Sequence, residues 1–160
     1  MKSFFVILLT AFIAFSVFTF GCVSLQEIKD PGFRMGNLVL TQDTIVGRGE
    51  YTPVKKVEQY DPFTLYFHWD MLEMVDGQIG IRITASITMD DGTIIVPKTT
   101  LTEYYGKAAE GITKNNMFYS TKMRAVGEPG KYIFEITVYD LVSGEMDTKQ
   151  ATLKITPRTI

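Results

Sequence analysis

The sequence predicts an all-β fold, an antiparallel β-sandwich of about seven strands, preceded by an N-terminal signal or anchor segment. Three observations support this prediction. Apolar and polar residues alternate along residues 63–71 and 79–90, and turn-forming residues separate the alternating segments. No segment that follows the apolar N-terminal stretch has a convincing helical pattern. Alternation with one polar face is typical of half-buried antiparallel strands. Several such short strands separated by turns are typical of a sandwich.

The other strands follow from the same pattern and from turn chemistry. Further strands are expected at residues 37–45, 94–96, 117–126, 132–140 and 151–155. Asp91-Gly92 is predicted to form a type I′ hairpin turn, because these two residue types readily adopt the positive φ angles that this turn requires. Ser143-Gly144 is predicted to turn the chain before the last strand.

The N-terminal segment is apolar on every side. Six of the 11 Phe residues lie between Phe4 and Phe20, in an uncharged stretch that follows Lys2. A basic start followed by an apolar core is typical of a secretory signal peptide. An uncleaved transmembrane helix is the alternative, since 17 to 18 apolar residues are just long enough to span a bilayer.

The only cysteine of the chain follows this segment directly, in the sequence FTFGC. This sequence resembles the bacterial lipobox, in which a small residue precedes the cysteine that is acylated and becomes the mature N-terminus. The resemblance implies a signal peptide at residues 1–21, lipidation of Cys22, a tether at residues 22–36 and a folded domain at residues 37–160. It also implies a membrane-anchored protein of the cell envelope, facing the periplasm or the cell surface. Val23 is not the aspartate that retains some lipoproteins in the inner membrane, so the outer membrane is expected if the host has one.

A local motif resembles the tyrosine corner of immunoglobulin domains. The segment Glu128-Pro129-Gly130-Lys131-Tyr132-Ile133-Phe134 resembles D-x-G-x-Y-x-C, with Glu128 at the aspartate position and Phe134 at the cysteine position. In that motif the tyrosine hydroxyl bonds to upstream backbone while the ring packs in the core. Turn and corner sequences from Gly49-Glu50-Tyr51 onward also resemble poorly characterised immunoglobulin-like domains of bacterial envelope proteins. The resemblance implies an immunoglobulin-like sandwich.

Composition and motifs exclude several function classes. A net charge of -2 and a pI near 5.4 argue against a nucleic-acid partner. One histidine and one cysteine leave no convergent set of acid, base and nucleophile, so we expect a non-enzymatic protein without cofactor or metal. His68 and Asp70 share a predicted strand face, where an acid–base or metal pair is less expected than a solvated pair. Asp90-Asp91 is read as a turn rather than a calcium site.

The binding candidates are tyrosines in long connections. Residues 99–116, TTLTEYYGKAAEGITKNN, are expected to form a loop or a short helix, with Tyr104 and Tyr105 either binding a partner or packing against the sandwich. Tyr51, in the connection 46–59, is a weaker candidate. The predicted function is a lipid-anchored binding or structural module, with the membrane and another envelope protein as partners. The alternative is a carbohydrate-binding accessory lipoprotein that contacts a glycan.

Overall fold

A computed structural model describes residues 32–159. The predicted signal peptide, Cys22 and the tether up to residue 31 lie outside this range. Residues 32–159 form nine strands and no helix, and hence no helix long and apolar enough to span a membrane. The strands are β1 (Arg34–Met35), β2 (Val39–Thr41), β3 (Lys56–Glu58), β4 (Pro62–Asp70), β5 (Gln78–Met89), β6 (Ile94–Lys107), β7 (Phe118–Arg124), β8 (Gly130–Asp140) and β9 (Met146–Thr156).

The strands form two sheets, which confirms the predicted all-β sandwich. In the four-stranded sheet, β4 pairs with β1, β2 and β7. The other sheet has the order β3-β9-β8-β5-β6, so β6 lies at its edge. Every pair is antiparallel except β3 with β9, which are parallel. The short strands β1 and β3 raise the count above the predicted seven.

The core lies between the sheets and contains the inward residues that the alternation predicted. Phe63 on β4 meets Phe134 on β8 edge to face, with ring centroids 5.9 Å apart, and both side chains are buried. The outer face of β4 is also covered, contrary to the simple alternation: Tyr66 is only 1% exposed. The segment between β2 and β3 covers it, since the Tyr51 ring packs on the Tyr66 ring.

The tyrosine corner is present as the sequence predicted. The Tyr132 hydroxyl donates a hydrogen bond to the carbonyl oxygen of Glu128, 2.7 Å away, and the ring is buried. Gly127 lies against the hydroxyl so closely that a Cβ there would approach it to 2.3 Å. The corner therefore fixes the chain as it enters β8.

Two predicted boundaries differ from the structure. Phe33 and Met35 are buried, and β1 pairs with the end of β4, so the folded region starts before residue 37 and includes the last residues of the predicted tether. The amide of Met35 also donates to the Asp147 carboxylate at 2.9 Å. The first predicted strand, residues 37–45, is reduced to Val39–Thr41.

The hairpin at Asp91-Gly92 is not a type I′ turn. Of these two residues, only Gly92 has a positive φ, of 88°. The amide of Gly92 donates to the Met89 carbonyl at 3.0 Å, and the Asp91 carboxylate accepts the amide of Thr93 at 2.8 Å. This side-chain bond stabilises Asp91 in an ordinary backbone conformation, so the second positive φ is not needed.

Candidate functional site

The segment that was expected to be a loop or short helix is mostly strand. β6 runs to Lys107, and only residues 108–117 connect it to β7. The run TTLTEYY is rich in β-branched and aromatic residues, which favour strands. The strand propensity of these residues is visible in the sequence, but the length of residues 99–116 favoured a loop or a short helix.

β6 has an irregular half and a regular half. Its pairing with β5 shifts register at three places between Ile83 and Thr88, each of which puts an extra residue on β6, and Pro97 lies in this part. From Thr102 to Lys107 the pairing runs without a shift. Bulges and prolines are devices that protect sheet edges from added strands. The irregular half is therefore protected, whereas the half from Thr102 to Lys107 presents a regular edge.

Tyr104 and Tyr105 lie in this regular half but on opposite faces of the sheet. Tyr104 is opposite Ile81, a buried inward residue, whereas Tyr105 is opposite Gly80 on the outer face. Both side chains reach solvent, with 47% of Tyr104 and 64% of Tyr105 exposed. Because successive residues of a strand point to opposite sides, the two rings flank the edge and do not form one flat platform.

Each tyrosine is positioned by a specific contact. The Tyr105 ring leans over Gly80, where an added Cβ would come within 2.6 Å of its Cδ2 atom. Glycine at this position gives an aromatic neighbour on the next strand room to lie across the sheet. The Tyr104 hydroxyl donates to the carbonyl oxygen of Lys107 at 2.6 Å. Both rings are thus held in place while remaining accessible.

The charged residues beside the tyrosines neutralise each other. Arg82 on β5 donates two hydrogen bonds to the Glu103 carboxylate, at 2.7 and 3.2 Å. This side-chain pairing lowers the pKa of Glu103 and raises that of Arg82. Lys98 lies 5.9 Å from the centroid of the Tyr139 ring, at cation–π distance. The outer face around Tyr105 is therefore polar, with a neutralised Arg82–Glu103 pair and a further cation, Lys98.

Tyr51, the third predicted binding residue, lies on the other sheet. Its ring meets the Tyr66 ring edge to face at 4.6 Å, and its hydroxyl donates to the Gly47 carbonyl at 2.7 Å. A cavity of about 450 Å³ beside it is lined by Tyr66 and His68 among others. The structure therefore brings Tyr104 and Tyr105 to one edge and places Tyr51 elsewhere, as a half-buried packing residue.

His68 and Asp70 do not form an acid–base pair. Asp70 forms ion pairs with Arg48 and, at 3.9 Å, with Arg34. Burial, followed by the charge of Arg48, lowers the pKa of His68. Gly36 lies directly against its ring, where a Cβ would come within 2.4 Å of Nε2. His68 is thus a neutral, packed imidazole. Residues 32–159 contain no group of three or more His, Cys, Asp or Glu side chains placed to hold a metal ion.

No protein-family model matches the chain, and no curated protein sequence matches it. Among solved structures, the C-terminal domain of wzt aligns with a TM-score of 0.51 and 8% identity, over 81% of this chain and 75% of that chain. The alkylpurine DNA glycosylase AlkC of Pseudomonas fluorescens aligns with a TM-score of 0.49 and 11% identity, over 77% of this chain and 30% of the enzyme. A family 123 glycoside hydrolase of Clostridium perfringens aligns with a TM-score of 0.46 and 8% identity, over 80% of this chain and 28% of the enzyme. This chain spans less than a third of either enzyme. The likeness at these identities concerns the fold alone.

Proposed function

We propose that the protein is a lipid-anchored, non-enzymatic binding module of the bacterial cell envelope, which binds another envelope protein at the regular edge of β6. The observation that supports this most directly is the stretch from Thr102 to Lys107, which pairs with β5 on one side, has no strand partner among residues 32–159 on the other, and carries Tyr104 and Tyr105. The lipobox-like FTFGC supports an anchor at Cys22. In a host with two membranes, the outer membrane is the proposed location.

Strand addition explains the geometry of this edge. An edge strand offers a row of backbone N–H and C=O groups, and a partner strand that pairs with them gains main-chain hydrogen bonds. Side chains on alternate faces then give specificity. Tyr104 and Tyr105 would contact such a strand from its two faces, and tyrosines are frequent energetic anchors at interfaces. The irregular half of β6 would limit the added strand to a short segment.

Crosslinking in intact cells tests the partner. A photoreactive amino acid at Glu103 is expected to crosslink one envelope protein, and replacing Tyr104 and Tyr105 together with Ala should lower the yield at least tenfold, with little change in thermal melting. Tyr60→Ala serves as the control, because Tyr60 is a similarly exposed tyrosine outside β6. A large loss of stability without a specific loss of crosslinking would identify the two tyrosines as packing residues and contradict the proposal.

The anchor needs its own experiment. The full chain is expected to incorporate labelled palmitate and to partition with detergent, because multiple acyl chains give stable membrane attachment. Cys22→Ala should abolish both properties. Unchanged partition of this variant, with no change in size, would favour an uncleaved transmembrane segment.

Glycan binding is the second candidate, and one observation favours it. The Tyr105 ring is held across Gly80 on a polar outer face that also carries Arg82 and Glu103. Aromatic rings of this kind can stack on sugars while polar neighbours bond to hydroxyl groups. The two candidates are distinguished by single substitutions. For a glycan on the outer face only Tyr105→Ala should weaken binding, whereas strand addition requires both tyrosines.

A further inference from the structure

The four-stranded sheet is narrower than the sheet that it packs against. β2 and β7 both pair with the stretch from Thr64 to Tyr66 of β4, so they lie on its two sides, and β1 pairs only with the end of β4. Three strands therefore face a sheet that is five strands wide. Because no other strand among residues 32–159 pairs with β7, this strand is an edge of the narrower sheet.

The difference in width leaves the inner side of β6 partly uncovered. Inner-face residues of β5 and β8 such as Ile83 and Ile136 are buried, whereas on β6 Leu101 is 41% exposed and Tyr104 is 47% exposed. An open cavity of about 400 Å³ lies between β6 and β7, and its lining includes Leu101 and the core residue Phe134. One more strand beside β7 would cover this uncovered apolar surface.

The two faces of β7 differ in chemistry. Tyr119, Thr121 and Met123 are opposite core residues of β4, so they face the space between the sheets. Lys122 and Arg124 alternate with them and therefore point to the outer face of the four-stranded sheet, where both are exposed. Within residues 32–159 neither cation takes part in an ion pair. The edge thus has a largely apolar inner side and a positively charged outer side.

β7 lacks several features that commonly block a sheet edge. It pairs with β4 from Phe118 to Arg124 without a register shift, and its sequence FYSTKMR contains no proline. Prolines, bulges and inward-pointing charges protect many edges from added strands, but both charges of β7 point outward. The free side of β7 therefore offers backbone N–H and C=O groups, which select an extended peptide over a ligand that lacks a peptide backbone.

We propose that β7 binds an extended segment of a partner protein in which apolar and acidic residues alternate, and which extends the four-stranded sheet by one strand. Its apolar side chains lie over the inner side of β6 and enter the cavity, which has room for about four valine-sized side chains at roughly 30 Å³ for each water-sized group. Its acidic side chains lie beside Lys122 and Arg124, because opposite charges on neighbouring strands attract. This charge complementarity excludes a basic strand. The site does not use the stretch from Thr102 to Lys107, so it is independent of the function proposed above.

Designed peptides test the selection of the partner strand. The full chain in a neutral detergent is titrated with a fluorescent peptide of alternating Val and Glu that matches the seven residues of β7 in length, and binding is followed by fluorescence anisotropy. This peptide should bind about tenfold more tightly than one with Lys in place of Glu, because the charges then repel. It should also bind about tenfold more tightly than one with Ser in place of Val, because serine buries less apolar surface in the cavity. Equal affinities of the three peptides, or no binding by any of them, would overturn the proposal.

Double variants of the chain test the charges. Lys122→Gln with Arg124→Gln should weaken binding of the Val–Glu peptide about fivefold, the effect of losing two cross-strand charge pairs. Lys122→Glu with Arg124→Glu should reverse the preference in favour of the Val–Lys peptide. Lys56→Gln with Arg158→Gln is the control, because it changes the net charge as much as the first variant does at exposed positions outside β7, and it should leave the affinity unchanged. Equal affinities of the two glutamine variants for the Val–Glu peptide would overturn the role of Lys122 and Arg124.

Hydrogen exchange locates the bound peptide. The Val–Glu peptide should slow the exchange of those backbone amides of residues 118–124 that do not bond to β4, because they donate to the added strand. Exchange between Thr102 and Lys107 on β6 should not change. Protection of Thr102 to Lys107 alone would overturn the proposal and assign the peptide to the β6 edge instead, and protection of neither strand would overturn strand addition at β7.

Discussion

Replacing Phe134 with Ala tests the packing of the whole sandwich. Phe134 is 4% exposed and contacts Phe63 across the two sheets. Removing a buried phenyl ring costs about 3 to 5 kcal/mol, through lost transfer free energy and the cavity left behind. Phe134 also borders an open cavity of about 400 Å³ between β6 and β7, which gives neighbouring side chains room to move into the space that the ring leaves. We therefore expect a loss of about 3 kcal/mol, at the lower end of this range.

Denaturant unfolding measures this loss. Trp69, the only tryptophan, is buried on β4 and provides an intrinsic fluorescence signal for loss of the core. The matched control is Glu135→Ala, which alters the adjacent residue on the outer face of the same strand. Its free energy of unfolding should change by less than about 0.5 kcal/mol.

The two variants together can refute the assignment of faces. A shift of one residue in the register of β8 would turn Phe134 outward and Glu135 inward. A neutral Phe134→Ala variant, or a Glu135→Ala variant that costs as much, would show that the register between β8 and its neighbours is wrong. The set of β8 side chains assigned to the core between the two sheets would then also be wrong.

Three further predictions concern single residues. Tyr132→Phe should lower the free energy of unfolding by about 1 kcal/mol, because it removes a buried hydrogen bond; Tyr60→Phe, at an exposed site, should be neutral in the same denaturant melt. His68 has a lowered pKa in the folded state, so the unfolded chain binds more protons and stability should fall as pH drops below the unfolded value of about 6.5. His68→Gln should remove this loss below about pH 6.5, and a dependence of stability on pH that is unchanged in the variant would show that His68 is not its cause. Gly80→Ala should cost about 1 to 3 kcal/mol by overpacking against Tyr105 and Leu141. Tyr105→Ala in the same chain should recover the part due to Tyr105 in thermal melts, and no recovery would contradict that contact.

Local patterns were sufficient for much of the fold. The alternation along β4, β5 and β8 identified the inward residues Phe63, Ile81 and Phe134, all of which are buried. This works because a strand places successive side chains on opposite faces, so its period is visible in any short window of sequence. The tyrosine corner was equally predictable, since Tyr132 bonds to a carbonyl only four residues upstream.

Features that depend on distant contacts were less predictable. Phe33 and Met35 belong to the core because β1 pairs with β4, a contact between segments more than 30 residues apart. Tyr66 was placed on an outer polar face by its alternation, yet Tyr51 covers it. No local period encodes which distant segment covers a given sheet face. Burial on that face is therefore a tertiary property.

The candidate site also combines features that local sequence predicts with features that depend on distant contacts. The sequence by itself identified Tyr104 and Tyr105 as neighbouring aromatic residues that either bind a partner or pack against the sandwich. Only the tertiary structure decided that they lie on an edge strand and on opposite faces of it, because these properties depend on which strands pair with β5 and in which register. The cavity between β6 and β7 likewise results from two edges that come from different sheets. Side-chain chemistry is carried by each residue along the chain, whereas edges, grooves and shared surfaces exist only once distant strands have packed together.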